Sequence, residues 1–222
     1  LKKSAASGIT PAIAAGQAGP GPRQEAIMVN RRTLPVAAAA LAAALLAAET
    51  VGVPGSSTVY PTQDDVEVGK PGKLRLTGVA MRTKFLFNVY TVGSYVAQGA
   101  AVHDAAELAA ADCPKRLHLV MERDVPGKDM AEAFRAAVRM NHPEPELTAE
   151  VNALVQHLQA VALKKGDHVL LTHLPGVGLQ CSLVGQRELV IKNVALSRAV
   201  WEIYLGRHNL GESIKKGLVA RL

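Results

Sequence analysis

The sequence predicts an α+β fold over residues 56–222, with an antiparallel sheet covered by a layer of helices. Three observations carry this. Alternating apolar strands come first, two amphipathic helices follow, and a three-strand meander leads into two further helices. Apolar residues make up 49% of the 222 positions, enough for a sizeable core, and the composition excludes a wholly disordered, collagen-like or coiled-coil chain. No internal repeat or second linker interrupts the stretch, so it reads as one domain.

Ser56 to Pro61 reads as a short strand. Lys73–Leu76 and Phe85–Val96 read as two longer ones, separated by the small-residue segment Thr77 to Lys84. Within the second, Phe85, Phe87, Val89 and Thr91 share one face, and Leu86, Asn88, Tyr90 and Val92 the other. Asp104–Ala111 suits a short helix capped by Asp104. Pro114 ends it, and Arg116–Glu122 returns to strand. Asp129–Met140 follows Pro126-Gly127 as a helix with a stripe of Met130, Ala133, Phe134, Ala137 and Val138. Thr148–Leu163 repeats apolar residues at Val151, Leu154, Val155, Leu158 and Val161, and closes on two lysines and Gly166. The strands His168–His173, Leu179–Val184 and Glu188–Lys192 are joined by turns at 175–178 and at Gly185-Gln186. Leu196–Leu205 and Gly211–Leu222 are the last two helices.

The net charge of +6 is concentrated at the front. Five basic residues against Glu25 precede residue 49, whereas 20 basic and 18 acidic residues follow. A body so near neutrality lacks the footprint of a backbone-neutralising nucleic-acid binder, so no nucleic-acid partner is expected. From Met28, a short basic stretch (Arg31-Arg32), a 15-residue apolar run (Leu34–Ala48) and small residues have the anatomy of a secretory signal. The run falls short of the about 20 residues a membrane span needs, and it shows no polar face. Residues 28–48 are therefore expected to be a signal peptide, through the Sec route or the twin-arginine route, leaving a periplasmic or secreted protein without a membrane span. Residues 1–27, rich in Ala, Gly, Pro and Ser, are expected to be a disordered upstream segment.

Most candidate sites have plain readings. Gly176-Val177-Gly178 sits between strands and lacks the Lys-Ser/Thr ending of a phosphate loop. His168 and His173 are five apart on one strand and so face opposite sides, while His142, His157 and His208 are scattered. Cys113 and Cys181 form no zinc pattern, and their pairing stays open. No metal or cofactor is expected. Asp124, at a strand end, reads as a cap for the turn or helix that follows. Arg82 stands apart, because it ends a small-residue segment just before a strongly apolar strand. There it either forks onto a carboxylate or enolate oxygen, with Tyr90 reaching the same oxygen, or snorkels over the sheet surface.

The segments Leu76-Thr77-Gly78-Val79-Ala80-Met81-Arg82 and Val89-Tyr90-Thr91-Val92-Gly93-Ser94-Tyr95 resemble the arginine-bearing strand pair of the chalcone isomerase superfamily. Lys165-Gly166-Asp167, Leu171 to Gly176, Asn193 to Glu202 and Leu205-Gly206 look like its final third. The likeness spans about residues 58–222 and is closest to exported bacterial chalcone-isomerase-like proteins. It implies an open-faced β-sandwich with a ligand cleft between sheet and helices. In the plant enzymes the cleft uses an arginine, a threonine and a Tyr/Lys/Asn trio on one helix. The arginine falls on Arg82, the threonine on Tyr90, and the trio on Met130, Ala133 and Ala137, while late helix positions fall on Ile203 and Tyr204. Such a cleft is apolar with one cation and phenols, which suits binding better than turnover and looks like the family's fatty-acid-binding branch.

The resemblance thus implies a non-catalytic binder of a fatty acid or similar apolar carboxylate. The alternative is an isomerase or intramolecular lyase acting on an enolisable or phenolic molecule, with Arg82 stabilising an oxyanion and Tyr90 or Tyr204 as acid/base. A third reading is an interaction module whose cleft its own side chains fill. For the leader, N-terminal sequencing of protein from its native host is expected to find a start between about Ala44 and Gly55. Soluble cytoplasmic protein that retains Leu34–Ala48 would remove the export reading.

Overall fold

A computed structural model describes residues 49–66, 72–183 and 187–222. The expected upstream segment, the signal peptide and the Gly185-Gln186 turn lie outside the described residues. Seven strands form one antiparallel sheet in sequence order: β3 (Gln63–Val66), β4 (Gly72–Lys84), β5 (Phe87–Ala97), β6 (Lys115–Met121), β7 (His168–Leu174), β8 (Gly178–Leu183) and β9 (Arg187–Ile191). A separate hairpin pairs β1 (Thr50–Gly52) with β2 (Val59–Pro61). Helix α1 (Ala105–Ala110) follows β5, α2 (Gly127–Arg139) and α3 (Thr148–Gln159) follow β6, and α4 (Val194–Leu205) and α5 (Glu212–Leu218) follow β9. None of the described helices is long and apolar enough to cross a membrane.

The two faces of the sheet carry different cores. Toward the helices, Val92, Leu117, Leu119, Leu171 and Cys181 pack against Phe134, Leu154 and Trp201. On the outer face, Leu74, Leu76, Tyr95 and Val120 pack with Val53 and Tyr60 from the β1–β2 hairpin. The Tyr60 hydroxyl meets Thr91 Oγ1 at 2.8 Å, and its ring lies over Gly93, where a Cβ would come within 2.6 Å of a ring carbon. Farther along the outer face, His118 Nε2 and His168 Nδ1 meet at 2.7 Å, and burial lowers the His118 pKa to about 4.

The main departure from the sequence reading concerns β4. Thr77 to Lys84 is strand rather than connector, and the turn is the two-residue Phe85-Leu86. The pairing of β4 with β5 shifts by one residue between Leu76 and Gly78, leaving Thr77 as the extra residue. It shifts back between Arg82 and Thr83, where Val89 is the extra residue on β5. Thr77 uses its freedom well: Oγ1 donates to Leu218 O at 2.8 Å, and its carbonyl accepts from Arg221 N at 2.8 Å. Beside it, Gly78 lets the backbone of α5 approach, since a Cβ there would sit 2.0 Å from Gly217 O.

The third helix also stops early, at Gln159, because the chain then bridges Leu163 to Val125 through two backbone hydrogen bonds of 2.9 and 3.0 Å. The last helix spans only Glu212–Leu218. Both cysteines are free thiols; desolvation pushes Cys181 up to about 12. At the far end of the sheet, Lys115 is buried yet donates to Leu108 O and Ala109 O at 2.9 and 2.8 Å, at the C-terminal end of α1 where a cation is favoured. Its ammonium stands 5.0 Å from the Trp201 ring centre, and burial lowers its pKa to about 8.

The contact at Gly78 generates a test. Gly78→Ala places a methyl against the backbone of Gly217 and Leu218, which no side-chain rotation relieves. We expect a loss of about 2–3 kcal/mol, in the overpacking range, read as a lower urea midpoint at unchanged m-value.

Candidate functional site

Between the inner face of β4–β5 and helices α2 and α4 lies a cleft of about 650 Å³. That is within the range of about 300–1,000 Å³ typical of small-molecule sites. All seven residues singled out from the sequence line it: Arg82, Tyr90, Met130, Ala133, Ala137, Ile203 and Tyr204.

The wall on α2 follows from helical spacing. Met130, Ala133, Ala137 and Met140 recur every three or four residues and form one stripe. The sequence reading assigned Met130, Ala133, Phe134, Ala137 and Val138 to a single apolar face. In the structure Val138 is buried in the core, whereas Ala133 is exposed to the cleft. Not one of Met130, Ala133 and Ala137 brings a polar side-chain atom.

The polar end is built on the paired strands. The register shift at Thr77 turns Arg82 to the inner face, and the compensating shift at Val89 sets Tyr90 directly across from it. Arg82 Nη1 donates to Leu210 O at 3.3 Å and to Thr83 O at 3.2 Å. Among the described residues no acceptor meets its Nε or Nη2. The Tyr90 hydroxyl meets the Tyr204 hydroxyl of α4 at 3.0 Å. Both rings are buried. Two hydroxyls carry two hydrogens and share one bond, so one O–H remains to donate. Burial raises the pKa of Tyr90, and that of Tyr204 is pushed well above the ordinary tyrosine value by burial and by its partner. Both are therefore neutral donors at physiological pH. Neither is poised as a base.

Several lining residues had no sequence signal as site residues. Lys84, Phe85 and Phe87 come from the β4–β5 turn and its flanks, Arg123 from the approach to α2, Asp129 from the first turn of α2, and Leu210 from the connection after α4. The exposed aromatic pair Phe85 and Phe87 was the available clue, read instead as part of a strand.

Other titratable clusters lie elsewhere. His173 joins Ser197 Oγ through Nδ1 and Asp112 Oδ1 through Nε2, both at 2.8 Å. The order resembles a nucleophile–base–acid line, but Ser197 is fully buried and the exposed end is Asp112, the reverse of what attack on a substrate requires. His168 and His173 do face opposite sides of the sheet. Asp124 caps a distant loop rather than the following helix: it accepts from Lys165 N at 2.9 Å and pairs with Lys164 at 3.0 Å. The helix start is not the reason for its position; the 164–167 turn packed beside it is. Among the described residues, no group of three or more His, Cys, Asp or Glu side chains could hold a metal.

Comparison with known proteins agrees with this architecture. A family model described as chalcone isomerase-like matches residues 59–220. No curated protein matches the chain significantly. Among solved structures, the crystal structure of an Arabidopsis thaliana fatty-acid binding protein superposes with a TM-score of 0.58 at 16% identity, covering 77% of this chain and 96% of that one. At that identity the likeness is one of fold, and it reproduces the antiparallel sheet under a helical layer. With the matched family model spanning most of its length, the chain belongs to the chalcone isomerase-like family.

Proposed function

We propose that this protein is a non-catalytic, exported binder of a fatty acid or similar long apolar carboxylate. One observation carries the reading: a cleft with an apolar helical wall ends in a guanidinium with free donors and a buried tyrosine pair with one unspent O–H. A carboxylate supplies acceptors to both, and a hydrocarbon chain suits the stripe of Met130, Ala133 and Ala137. The fatty-acid binding protein of similar fold lends support, and so does the signal-like leader for export.

The isomerase alternative draws on Arg82, which could polarise a carbonyl. It lacks an evident proton carrier. A tyrosine raised above its ordinary pKa by burial is a poor base at neutral pH, and loss of a general acid/base costs typically 10²–10⁴-fold. We expect chalcone turnover well below roughly one per second, the lower end of ordinary enzymes. Chalcone loss at or above that rate, abolished by Arg82→Ala, would replace the binding reading with the enzyme.

Mass spectrometry of small molecules released on denaturing the purified protein identifies a resident ligand directly, and a fatty acid is expected. In a titration with palmitate, Arg82→Met should weaken binding about ten- to a hundred-fold, through loss of charge-assisted hydrogen bonds. The urea midpoint should move little, because Arg82 is only half-buried. Unchanged affinity would return Arg82 to a surface role.

A further inference from the structure

We infer that the Phe85-Leu86-Phe87 tip of the β4–β5 hairpin docks the mouth of the cleft onto an anionic lipid bilayer. Four features of the tip point there. First, its apolar residues are unusually open: Phe85 is 82% exposed, Leu86 97% and Phe87 63%, far more than isolated surface residues require. Second, the turn is built against backbone preference. Lys84 pairs with Phe87, so Phe85 and Leu86 form a two-residue loop, at φ of 50° and 68°. Such a loop favours Asn-Gly or glycine, and bulky apolar residues there carry strain without packing against the protein in return.

Third, the tip carries cations. Lys84 Nζ lies 5.6 Å from the Phe85 ring centre and the Arg123 guanidinium 5.7 Å from that of Phe87. Neither is in an ion pair among the described residues. Of the two carboxylates at the same mouth, Asp124 is paired with Lys164, which leaves Asp129 as the opposing charge. Aromatic and aliphatic side chains flanked by lysine and arginine match the acyl boundary and the anionic headgroups of a membrane surface.

Fourth, the tip is continuous with the cleft. Lys84, Phe85, Phe87 and Arg123 line it, as does Met140, 40% exposed, on the opposite wall. Docking would set the open side of the cleft against lipid, so that an acyl chain could pass between bilayer and cleft without crossing water. That consequence rests on the fatty-acid reading, whereas the docking itself does not.

Leu86 is the residue for the test, because it is part of the tip but does not line the cleft. The full chain and its Leu86→Gly variant are compared for co-sedimentation with vesicles of equal phosphatidylcholine and phosphatidylglycerol. Removing an inserted leucine should weaken partitioning about tenfold, while the urea midpoint rises because glycine accepts the positive φ. Palmitate affinity in solution should stay the same. Lys84→Gln and Arg123→Gln should each cost about fivefold on these vesicles and little on pure phosphatidylcholine. The emission of Leu86→Trp should shift to the blue when the anionic vesicles are added.

Equal partitioning of wild type and Leu86→Gly, or an unshifted emission from Leu86→Trp, would overturn the docking. So would a sedimenting dimer that Leu86→Gly dissociates, since the tip would then be a contact between two copies. If vesicle binding depends on Leu86 but palmitate never binds, the docking stands and the fatty-acid reading falls. If palmitate binds and the tip variants behave as wild type on vesicles, the reverse holds.

Discussion

The architecture depends on the register between β4 and β5. Side chains alternate along a strand, so a one-residue slip moves each of them to the other face. Leu74 and Leu76 face the outer core. Plain alternation would carry Ala80 and Arg82 outward with them. The extra residue at Thr77 reverses this, placing Ala80 in the helix-side core and Arg82 in the cleft. The second shift, at Val89, restores the original register before the turn. Only the stretch Gly78–Arg82 is displaced. The disruption is held in place because Thr77 and Gly78 are also where the C-terminal segment docks, through Leu218 O, Arg221 N and the close approach of Gly217. One local irregularity thereby aims Arg82 into the cleft and seats the last helix.

The cleft follows from this with little further machinery. Facing strands contribute Arg82 and Tyr90; α4 contributes Tyr204; α2 contributes an apolar stripe. The polar end owes its character to burial. A hydroxyl pair in water spends its hydrogens on solvent, but here both rings are buried and the pKa values are raised, so the protons stay in place and one O–H is left over from the shared bond. A carboxylate accepts hydrogen bonds and brings a charge opposite to that of Arg82. The same burial that makes the pair a good donor makes it a poor base, and on this physical ground the proposed binding of a carboxylate and a lack of chalcone chemistry go together.

Much of the fold was legible in the sequence because its signals are periodic and local. Asp104 does cap α1, accepting from Glu107 N at 2.8 Å, and the meander β7–β9 has its strands within a residue or two of the expected bounds. The segment read as a connector failed for a specific reason. Thr77-Gly78 has turn composition, but its glycine serves a backbone approach to a helix some 140 residues later, which no local pattern encodes. The early end of α3 has a similar cause: Leu163 pairs with Val125 across the chain. Arg82 and Tyr90 stand out from the residues themselves and the other five cleft residues through family resemblance, while periodicity places Met130 and Ala137 in the core, where both are buried at the cleft wall. The pairing of Tyr90 with Tyr204 was illegible, because the two are 114 positions apart and meet only once the sheet is covered.

Stability and strain are unevenly distributed across this protein. At one end of the sheet Lys115 is fixed by two carbonyls and the Trp201 ring, and His173 is tied to both Ser197 and Asp112. There the buried Lys115 and His173 each have two polar partners, and Trp201 is fully buried. At the other end, two bulky residues sit at positive φ with their side chains in solvent, next to the open cleft. Left-handed backbone costs about 1–2 kcal/mol per non-glycine residue, a noticeable fraction of the about 5–15 kcal/mol by which domains are stable. A sequence optimised for stability alone would place Asn-Gly at this turn. That Phe-Leu stands there instead, where local propensity and global fold disagree, marks the mouth of the cleft as the part of the molecule shaped by something outside it.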